Sequence, residues 1–524
     1  MSAPHLRTTA TATTAGANAH PSFATLHALH TLLGTSLAAL QQSYTTALSL
    51  NLVPKPSADP NEEGHNEDGL RLGLPSLSSP YNPGASEDHL ARDPDARRAV
   101  LRIVAACEQM VACVRTPMET LSDAAMFFQL PACLAVLENA HIVEILRDAG
   151  VAGMHVNDIA AQVPVCVDAR ILRCLATNHL LTEVSPDVFA TNRISSFMDT
   201  GKSADDILRD PCAKYDGTNG VAAYVGMTTY EVFRSSAYLS ESLGLALASS
   251  PPTATPYVIV SLQRAWDRRT RRPGTRRIRM PMFGAAMRGT SQAGWEMGGV
   301  VGGFDWASLG TSALVSSNGN GNALVIDVGG GIGSACLALA EAYPHLRFVV
   351  QDRGPVVRVA REVWEEAKPE WVREGRVAFE GPPAAYILRA IAHDWPDKQV
   401  LRILRRLREC AGMGTALVLG DHVIPYACVG GKSGESEGSA ETLPGAFSRL
   451  TEEGVEDVLL PNLGRGCINA YWMDITMHEV FESQERTITH IVALAREAGW
   501  RAVRVNRIES SLFAYVICYP DSSS

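Results

Sequence analysis

Several features that would assign the chain to a specialised protein class are missing from its sequence. The eleven cysteines include no Cys-x-x-Cys pair and are odd in number. This argues against a structural zinc site and a disulfide framework, and it fits a reducing compartment. Lys and Arg number 46 against 56 Asp and Glu, and the net charge is -10. Nothing in this balance favours binding to nucleic acid or to an anionic membrane.

Long apolar runs are also missing. No unbroken stretch of about 18 apolar residues occurs, so no membrane span is predicted. Residues 1–20 lack the apolar segment of a secretory signal, and we therefore expect a cytoplasmic protein. What the chain does contain is apolar material for a large core, because 46% of its 524 residues are hydrophobic. This is a globular composition, long enough for about two to four domains.

Composition and hydrophobic periodicity divide the chain into segments. Leucines recur at helical spacing after Pro21, whereas Pro, Gly, Asp, Asn and Ser dominate the stretch after Leu52. We predict a disordered tail at 1–20, an N-terminal helix at 21–52, a polar, disordered linker at 53–98, a helical domain at 99–248, an irregular Arg-rich insertion at 249–280, and a second domain at 281–524 with a polar insertion at 426–466.

Residues 155–197 of the helical domain follow the order helix, helix, hairpin. This order is typical of a winged helix and in isolation suggests DNA binding. The second helix, which would read the bases, offers Arg170 and Arg173 and few other basic or amide groups. We therefore favour a packing or dimerisation module and expect no nucleic-acid partner.

A glycine-rich turn between two predicted parallel strands is the most informative segment. The strand ALVIDV contains Asp327 and is followed by Gly329, Gly331 and Gly333, a helix, and the strand LRFVVQD, which ends at Asp352. Glycines let the backbone turn tightly and approach a ligand without Cβ clashes. An acid at the end of the second strand can accept hydrogen bonds from ribose hydroxyls.

Two cofactor classes use this layout. A dinucleotide fingerprint would need a glycine where the chain has Ser334 or Cys336. Asp327, just before the turn, would oppose a pyrophosphate but suits a cationic or zwitterionic ligand, such as the sulfonium and amino-acid end of S-adenosylmethionine. We therefore expect S-adenosylmethionine, with a turn that binds no ligand as the alternative.

Two further polar residues follow predicted strands. His393 comes just after the strand AYILRAI, and Asp421 ends the strand TALVLGD. Ligands bind along the carboxyl edge of open α/β sheets, where both residues would lie. The last two strands, RAVRVNRI and SLFAYVICY, are joined by so short a link that they must pair antiparallel. This sheet ending is typical of class I methyltransferases rather than dehydrogenases.

The segments IDVGGGIG, HDWPD, GDHVIP and the ERT of ESQERTITHI resemble the plant and fungal small-molecule O-methyltransferases of the caffeic-acid type. The resemblance is dense from Phe283 to Pro520 and weaker from Arg97 to Asp199. It implies an α/β fold with a Rossmann-like class I methyltransferase domain at 281–524, preceded by an N-terminal all-α, winged-helix-like dimerisation domain. It also implies a homodimer that transfers a methyl group from S-adenosylmethionine to a phenolic hydroxyl of a small aromatic secondary metabolite.

The resemblance assigns site residues as well. The catalytic histidine corresponds to His393 and its supporting acids to Asp421 and Glu485. The cofactor contacts correspond to Gly329, Asp352 and Arg389, to which the turn itself adds Asp327, Gly331 and Gly333. A methionine beside the acceptor ring corresponds to Met477, and Met287 is a further candidate in the variable acceptor pocket. No acids are grouped for a metal, so no metal is expected.

The chemistry agrees with these assignments. A phenol has a pKa of about 10 and is mostly neutral at pH 7, whereas an unperturbed histidine has a pKa near ~6.5. A neutral His393 could therefore act as general base. Asp421 and Glu485 would orient the imidazole and stabilise its cation.

The chain departs from the family after Glu380. The segment GPPAAYILRA follows at once, and the stretch that holds the adenine in the family is missing. The insertions at 249–280 and 426–466 are also unusual. These departures leave one alternative hypothesis, a catalytically weakened paralogue that acts as a dimeric scaffold or a winged-helix DNA-binding regulator.

Overall fold

The computed structural model describes residues 23–49, 74–82, 93–163, 167–243, 255–258, 282, 284–287, 299–309, 323–367, 381–428, 443–446, 458–508 and 511–522. Most of the Arg-rich insertion and the middle of the polar insertion lie outside these residues. The predictions for the tail at 1–20 and for the adenine segment at Glu380 fall outside them as well.

Two long helices form the N-terminal part of the fold. Helix α1 (Phe23–Ser49) lies where the leucine spacing predicts it and packs along α2 (Pro94–Val114). Leu40 of α1 is buried against Ala96 and Ala99 of α2. The small alanine side chains let the two helices approach closely, and the apolar stripe of α1 gains its burial there.

The predicted linker at 53–98 is structured in part, so its prediction as wholly disordered is wrong. Residues 74–82 lie against the helical domain, where the ring of Tyr81 meets Phe197 edge-on with centroids 4.5 Å apart. Helix α2 begins at Pro94, a residue well suited to the first helical position. An aromatic anchor and a helix start therefore lie within a sequence that is polar on average.

Three shorter helices follow: α3 (Pro117–Met126), α4 (Gln129–Asn139) and α5 (Ile142–Ala149). A capping box between Thr116 and Glu119 begins the first of them. All three lie within the helical domain predicted at 99–248. The chain is interrupted at His141, whose φ of 55° is left-handed and ends helical pairing.

Much of the surface of α3 and α4 is apolar. The stretches Phe23–Ala47 and Pro117–Asn139 are long and apolar enough to cross a membrane by length and composition, although neither is an unbroken apolar run. In the second stretch, only 6% of its apolar 18-residue window is buried. We call its exposed side chains, together with the end of α2, the apolar face: Val114, Met118, Leu121, Met126, Phe127 and Phe128.

The predicted order of helix, helix and hairpin is present. Its elements are β1 (Met154–His155), α6 (Val156–Ala161), α7 (Ala169–Thr177), β2 (Thr182–Ser185) and β3 (Val188–Ala190). The strands form an antiparallel sheet in the order β1-β3-β2, and β1 was not predicted. Arg170 pairs with Asp168 at 2.6 Å and Arg173 with Glu183 at 2.8 Å. Neighbouring carboxylates therefore engage both arginines of the helix that would read DNA.

The rest of the helical domain surrounds a buried polar group. Its elements are α8 (Arg193–Ser196), α9 (Ala204–Arg209), α10 (Val221–Met227), a π-helical turn (Thr228–Val232), α11 (Phe233–Ser236) and α12 (Leu239–Ser242). Lys214 forms a buried ion pair with Glu138 of α4, and the Tyr215 hydroxyl donates to the same carboxylate at 2.9 Å. This network is satisfied by its own members, as buried charges require.

The second domain is built on a six-stranded sheet. Its strands are β4 (Leu324–Val328), β5 (Arg347–Gln351), β6 (Ala385–Arg389), β7 (Ala416–His422), β8 (Trp500–Arg507) and β9 (Phe513–Pro520). Their order is β5-β4-β6-β7-β9-β8. The first four are parallel, and β9 runs antiparallel between β7 and β8. The predicted terminal hairpin is confirmed, and the carboxyl ends of β4, β6 and β7 share one edge.

Helices cover both faces of this sheet: α13 (Gly299–Gly302), α14 (Ser334–Ala342), α15 (Gly354–Ala367), α16 (Asp397–Glu409) and α18 (Ile488–Glu497). Helix α17 (Ile468–Phe481) instead contacts the turn at Ala392–Asp394 and the helical domain. On one face, Leu404 of α16 and Leu494 of α18 pack with Leu419 of β7. On the other face, Leu339 of α14 packs in a separate apolar core that also contains Trp306. The domain is thus a three-layer α/β sandwich.

Two described parts of the polar insertion at 426–466 attach to the fold. The Val505 N–H of the edge strand β8 donates to the Pro444 carbonyl at 2.9 Å. The Leu460 N–H donates to Oε1 of Gln109 on α2 at 3.2 Å. The insertion therefore covers part of the sheet edge and contacts the N-terminal helices.

Candidate active site

The glycine-rich turn joins β4 to α14 at the carboxyl edge of the sheet. Gly329, Gly331 and Gly333 have φ angles of 75°, 60° and 81°, which glycine adopts without strain. The Gly329 N–H donates to the Gln351 carbonyl at 2.7 Å, and a Cβ at this position would overlap Ile391. A Cβ at Gly331 would meet no described atom within 4 Å. The turn is therefore packed at its start and open at Gly331.

Two charged side chains lie next to the turn. Asp352 follows β5, and its Oδ2 accepts the Gly331 N–H at 2.9 Å while its Oδ1 accepts the Arg353 N–H at 2.6 Å. Arg389 ends β6, with its guanidinium 5.3 Å from the ring centroid of Phe513. Its buried Nε has no hydrogen-bond partner within the described part of the chain. The site therefore holds a half-exposed carboxylate and a donor that lacks an acceptor.

Asp327 lies under the turn. It is 2% exposed, and its Oδ2 accepts a weak hydrogen bond from the Cys336 thiol at 3.4 Å. A side chain at Gly330 would collide with this carboxylate. Burial raises the pKa of Asp327 to about 6, against the opposing charge of Arg389. Direct contact between Asp327 and a cofactor stays a prediction, because here the carboxylate packs against the underside of the turn.

His393 lies in a single 3-10 turn, Ala392–Asp394, just beyond the end of β6. Its Nδ1 is 2.7 Å from Oε1 of Glu485, whose side chain is fully buried. The two residues meet because the chain at Arg486 runs beside the end of β7, where it forms a parallel bridge with Val423. His393 keeps 14% of its side chain exposed, so the ring is held from one side and accessible from the other.

Asp421, near the end of β7, lines a small cavity together with His393, Glu485 and Arg486. The cavity measures about 20 Å³, which is enough for one water molecule. Oδ1 of Asp421 and Oε2 of Glu485 are buried and have no hydrogen-bond partner among the residues described. No hydrogen bond joins Asp421 to His393, both of which are described. Of the two predicted acids, Glu485 alone bonds to the imidazole.

The acids around His393 increase its proton affinity. Burial lowers the pKa of His393, but the hydrogen bond and charge of Glu485, with the charges of Asp421 and Asp394, raise it to about 10. Burial raises the pKa of Asp421 to about 7. The expectation of a neutral imidazole at pH 7 rested on an ordinary pKa near ~6.5. It is wrong for the free protein, because the neighbouring carboxylates favour the imidazolium.

The two predicted acceptor contacts lie on different elements. Met477 lies on α17, which touches the turn that carries His393, and is 6% exposed. Met287 lies in the stretch 284–287, which packs on α10 through Ala285. Met477 is therefore the better supported of the two as a neighbour of the site.

Sequence reasoning missed the residues that hold the His393 turn. Arg486 stands in the ERT motif quoted above, where the sequence assigns it no role. In the structure it binds the backbone on both sides of His393. Ser483 donates to the His393 carbonyl at 2.5 Å, and Asp474 accepts the Glu485 N–H at 2.7 Å. The available signal was the position of an arginine directly after the acid that binds the histidine.

Comparison with known proteins shows the family of the chain. A profile of the O-methyltransferase domain matches residues 304–440. The chain is 33% identical to an O-methyltransferase of Armillaria gallica over 80% of this chain and 87% of that one. It is 34% identical to 4-O-methyltransferase 1 of Phanerochaete chrysosporium over 84% and 91%. The chain belongs to the O-methyltransferase family. The methyltransferase also shares its fold with OxaC, solved in complex with sinefungin and meleagrin, at a TM-score of 0.56 and 15% identity over 81% and 93% of the two chains.

The methyltransferase depends on S-adenosylmethionine and acts on a small-molecule acceptor of secondary metabolism. Its predicted fold, a Rossmann-like domain after an N-terminal helical region, is confirmed. The site fits the cofactor. The turn is open at Gly331, the Asp352 carboxylate can accept hydrogen bonds from hydroxyl groups, and the buried Nε of Arg389 is a donor without a partner in the described part of the chain. Within the described ranges no three His, Cys, Asp or Glu side chains are grouped to hold a metal ion.

Proposed function

We propose that the methyltransferase methylates a phenolic hydroxyl of a small aromatic metabolite, with His393 as general base. The hydrogen bond between Nδ1 of His393 and Oε1 of Glu485 carries this proposal. It fixes the ring and leaves Nε2, which lies 3.6 Å from Asp394, available for an acceptor. The ring stands at the carboxyl edge of the sheet, where ligands bind in open α/β folds.

Matched proton affinities support this role. A phenol has a pKa of about 10, and the surrounding acids raise the pKa of His393 to about 10 as well. From the neutral form of His393, which the free enzyme gains as the pH rises towards about 10, Nε2 can take the proton of the acceptor oxygen at little cost in free energy. Glu485 stabilises the resulting imidazolium, as the acid of a catalytic triad does. The oxygen gains its nucleophilic charge without prior ionisation in solution.

We infer the cofactor contacts from the same edge of the sheet. When bound, S-adenosylmethionine supplies the methyl group on a sulfonium. Asp352 would accept hydrogen bonds from the ribose hydroxyls, and Arg389 would donate from its free Nε. Asp327 would act from beneath the turn, by its charge. The backbone of the turn completes the set at Gly329, Gly331 and Gly333.

We infer that the acceptor lies beside α17. This helix touches both the His393 turn and the segment 228–236 of the helical domain. Met477 on α17 would face the acceptor ring. Met287 would line the pocket from the side of α10. Positioning of oxygen, methyl carbon and sulfur in line supplies the rest of the rate enhancement.

We also propose that the enzyme is a homodimer through the apolar face. Met118 and Leu121 of this face are 72% and 67% exposed. An apolar patch of this kind marks an interaction surface, and its position in the domain at 99–248 fits the predicted dimerisation module. A second copy of the chain that covers the face would bury the exposed apolar side chains of the stretch Pro117–Asn139, as expected of a cytoplasmic enzyme.

Methyl transfer from labelled cofactor to a panel of phenols tests the function. We expect product in the presence of EDTA, about a 100-fold or larger loss of turnover in His393→Ala, and nearly unchanged cofactor affinity by calorimetry. His345→Ala, an exposed histidine outside the site, is the control. An active His393→Ala enzyme would exclude His393 as the base. Absence of cofactor binding at millimolar concentration would favour the weakened paralogue instead.

A further inference from the structure

The short segment at 483–486 holds the turn that carries His393. Ser483 donates to the His393 carbonyl at 2.5 Å, and Glu485 bonds the imidazole at 2.7 Å. Arg486 binds the backbone on either side of the histidine. His393 is therefore restrained at its ring and at its backbone by one segment that lies 92 residues beyond it at Glu485.

Arg486 makes the largest share of these contacts. Its side chain is 4% exposed. Nη1 donates to the carbonyl of Ala392 at 2.8 Å and Nη2 to the carbonyl of Trp395 at 2.7 Å. Nε and Nη2 also donate to Oδ1 of Asp397, at 3.0 and 2.8 Å. One planar guanidinium thus spans the turn, from the residue before His393 to the start of α16.

The backbone of Arg486 is attached to the central sheet. It forms a parallel bridge with Val423, and its carbonyl accepts the Ile424 N–H at 3.2 Å. Val423 directly follows β7, the strand that carries Asp421. The Arg486 side chain therefore links the end of β7 to the His393 turn.

We propose that Arg486 is a positioning residue for methyl transfer, which sets the distance between His393 and Glu485 by tying both flanks of the His393 turn to the end of β7. The proposal rests on the role of His393 proposed above. A rigid fork is required, because two carbonyls and a carboxylate must be bound in one fixed arrangement. A lysine is a point charge on a flexible stem and cannot reproduce it.

Replacing Arg486 with lysine separates geometry from charge. The ionisable groups around the imidazole are Glu485, Asp394, Asp421 and His422, and those facing Arg486 from α16 and α18 are Asp397 and His490. Arg486→Lys retains every one of these charges and its own. A change in the titration of His393 in this variant therefore reports a changed distance to Glu485.

We expect kcat of Arg486→Lys to fall about 10- to 100-fold, the usual cost of a misplaced reacting group. The pH at which kcat/KM levels off should move lower, because a longer distance to Glu485 lowers the pKa of His393. Cofactor affinity should not change. Arg405→Lys, in an exposed ion pair with Glu497, is the matched control and should behave as wild type.

A double mutant decides between a positioning role and a merely structural one. If Arg486 acts through His393, Arg486→Lys should cost no further activity in a His393→Ala background. A full additional loss there, or a folded Arg486→Lys enzyme with wild-type kcat and pH profile, would overturn the proposal. An active His393→Ala enzyme would instead refute the assignment of His393 as the base. Failure of the proposed function and failure of the positioning role can therefore be distinguished.

A second variant covers the case in which Arg486→Lys does not fold. Asp397→Asn removes the charge that orients the guanidinium and leaves both carbonyl contacts in place. It should lower kcat by a smaller factor and move the pH profile in the same direction. An unchanged profile in this variant would also overturn the proposal.

Discussion

Replacing Glu485 with glutamine tests the carboxylate that holds the imidazole of His393, the proposed base. Glutamine keeps the shape of the side chain and removes its charge. Glu485 is the strongest of the influences that raise the pKa of His393 to about 10. An opposite charge at this distance typically shifts a pKa by about 1 to 3 units. We therefore expect the pKa of His393 to be about 1 to 3 units lower in Glu485→Gln.

The expected direction of the change in activity follows from the proposed role of His393, in which its neutral form accepts a proton from the phenol. In the wild type the imidazolium persists at neutral pH, and the basic form is gained only as the pH rises through about 10. The value of kcat/KM, which reports the free enzyme, should therefore climb into the alkaline range. In Glu485→Gln it should level off at lower pH. Its plateau should be about 10- to 100-fold lower, because the ring has lost its charged anchor.

The assay compares initial rates of methylation of one phenol by both enzymes from neutral to alkaline pH. Because both enzymes methylate the same phenol, ionisation of the phenol affects the two profiles equally. Any difference between the profiles therefore arises from the enzymes. Glu497→Gln removes an exposed carboxylate and is the control. A Glu485→Gln profile that levels off at the same pH as the wild type would refute the reasoning.

Other perturbations give separate outcomes. Asp352→Ala should weaken cofactor binding by roughly 1 to 3 kcal/mol through lost hydrogen bonds, and unchanged affinity by calorimetry would contradict its role. Asp421→Asn should reduce kcat less than Glu485→Gln, since Asp421 does not bond the imidazole; an equal loss would show that the two acids act together. Leu121→Glu should convert the proposed homodimer to a monomer in light scattering, and a dimer that persists in this variant would exclude the apolar face as its interface. The raised pKa of His393 stabilises the fold below its ordinary value near ~6.5, and this contribution is lost as the pH rises through about 10. The melting temperature should therefore fall less in His393→Ala than in the wild type over this pH range.

Features with a local cause could be predicted from the sequence. The turn at Gly329 follows from its glycines, and the hairpin of β8 and β9 follows from a link too short for any other pairing. The place of His393 beyond β6 follows from a buried strand that ends before a helix start. In each case neighbouring residues suffice to determine the geometry.

Features that depend on distant pairing could not be predicted in this way. Glu485 was assigned only through a family resemblance, because nothing local shows that the chain at Arg486 returns to the end of β7. The same pairing brings Glu485 to His393, beside Asp421 and the sequence neighbour Asp394, and the three carboxylates reverse the expected charge of His393 at pH 7. The burial of Asp327 against Cys336 is likewise a consequence of tertiary packing.

The position of β9 has a consequence for how the site is assembled on the ribosome. β9 pairs with β7 on one side and with β8 on the other, although it follows both along the chain. While the chain is being made, β7 therefore presents an open edge until α17, α18, β8 and finally β9 have emerged. Such an edge can pair with other nascent chains. The strand carrying Asp421 gains its last neighbour only when Ala514 arrives opposite it. The edge of β7 therefore stays open from the synthesis of His422 to that of Phe513, and a chain stalled before β9 should have no organised active site.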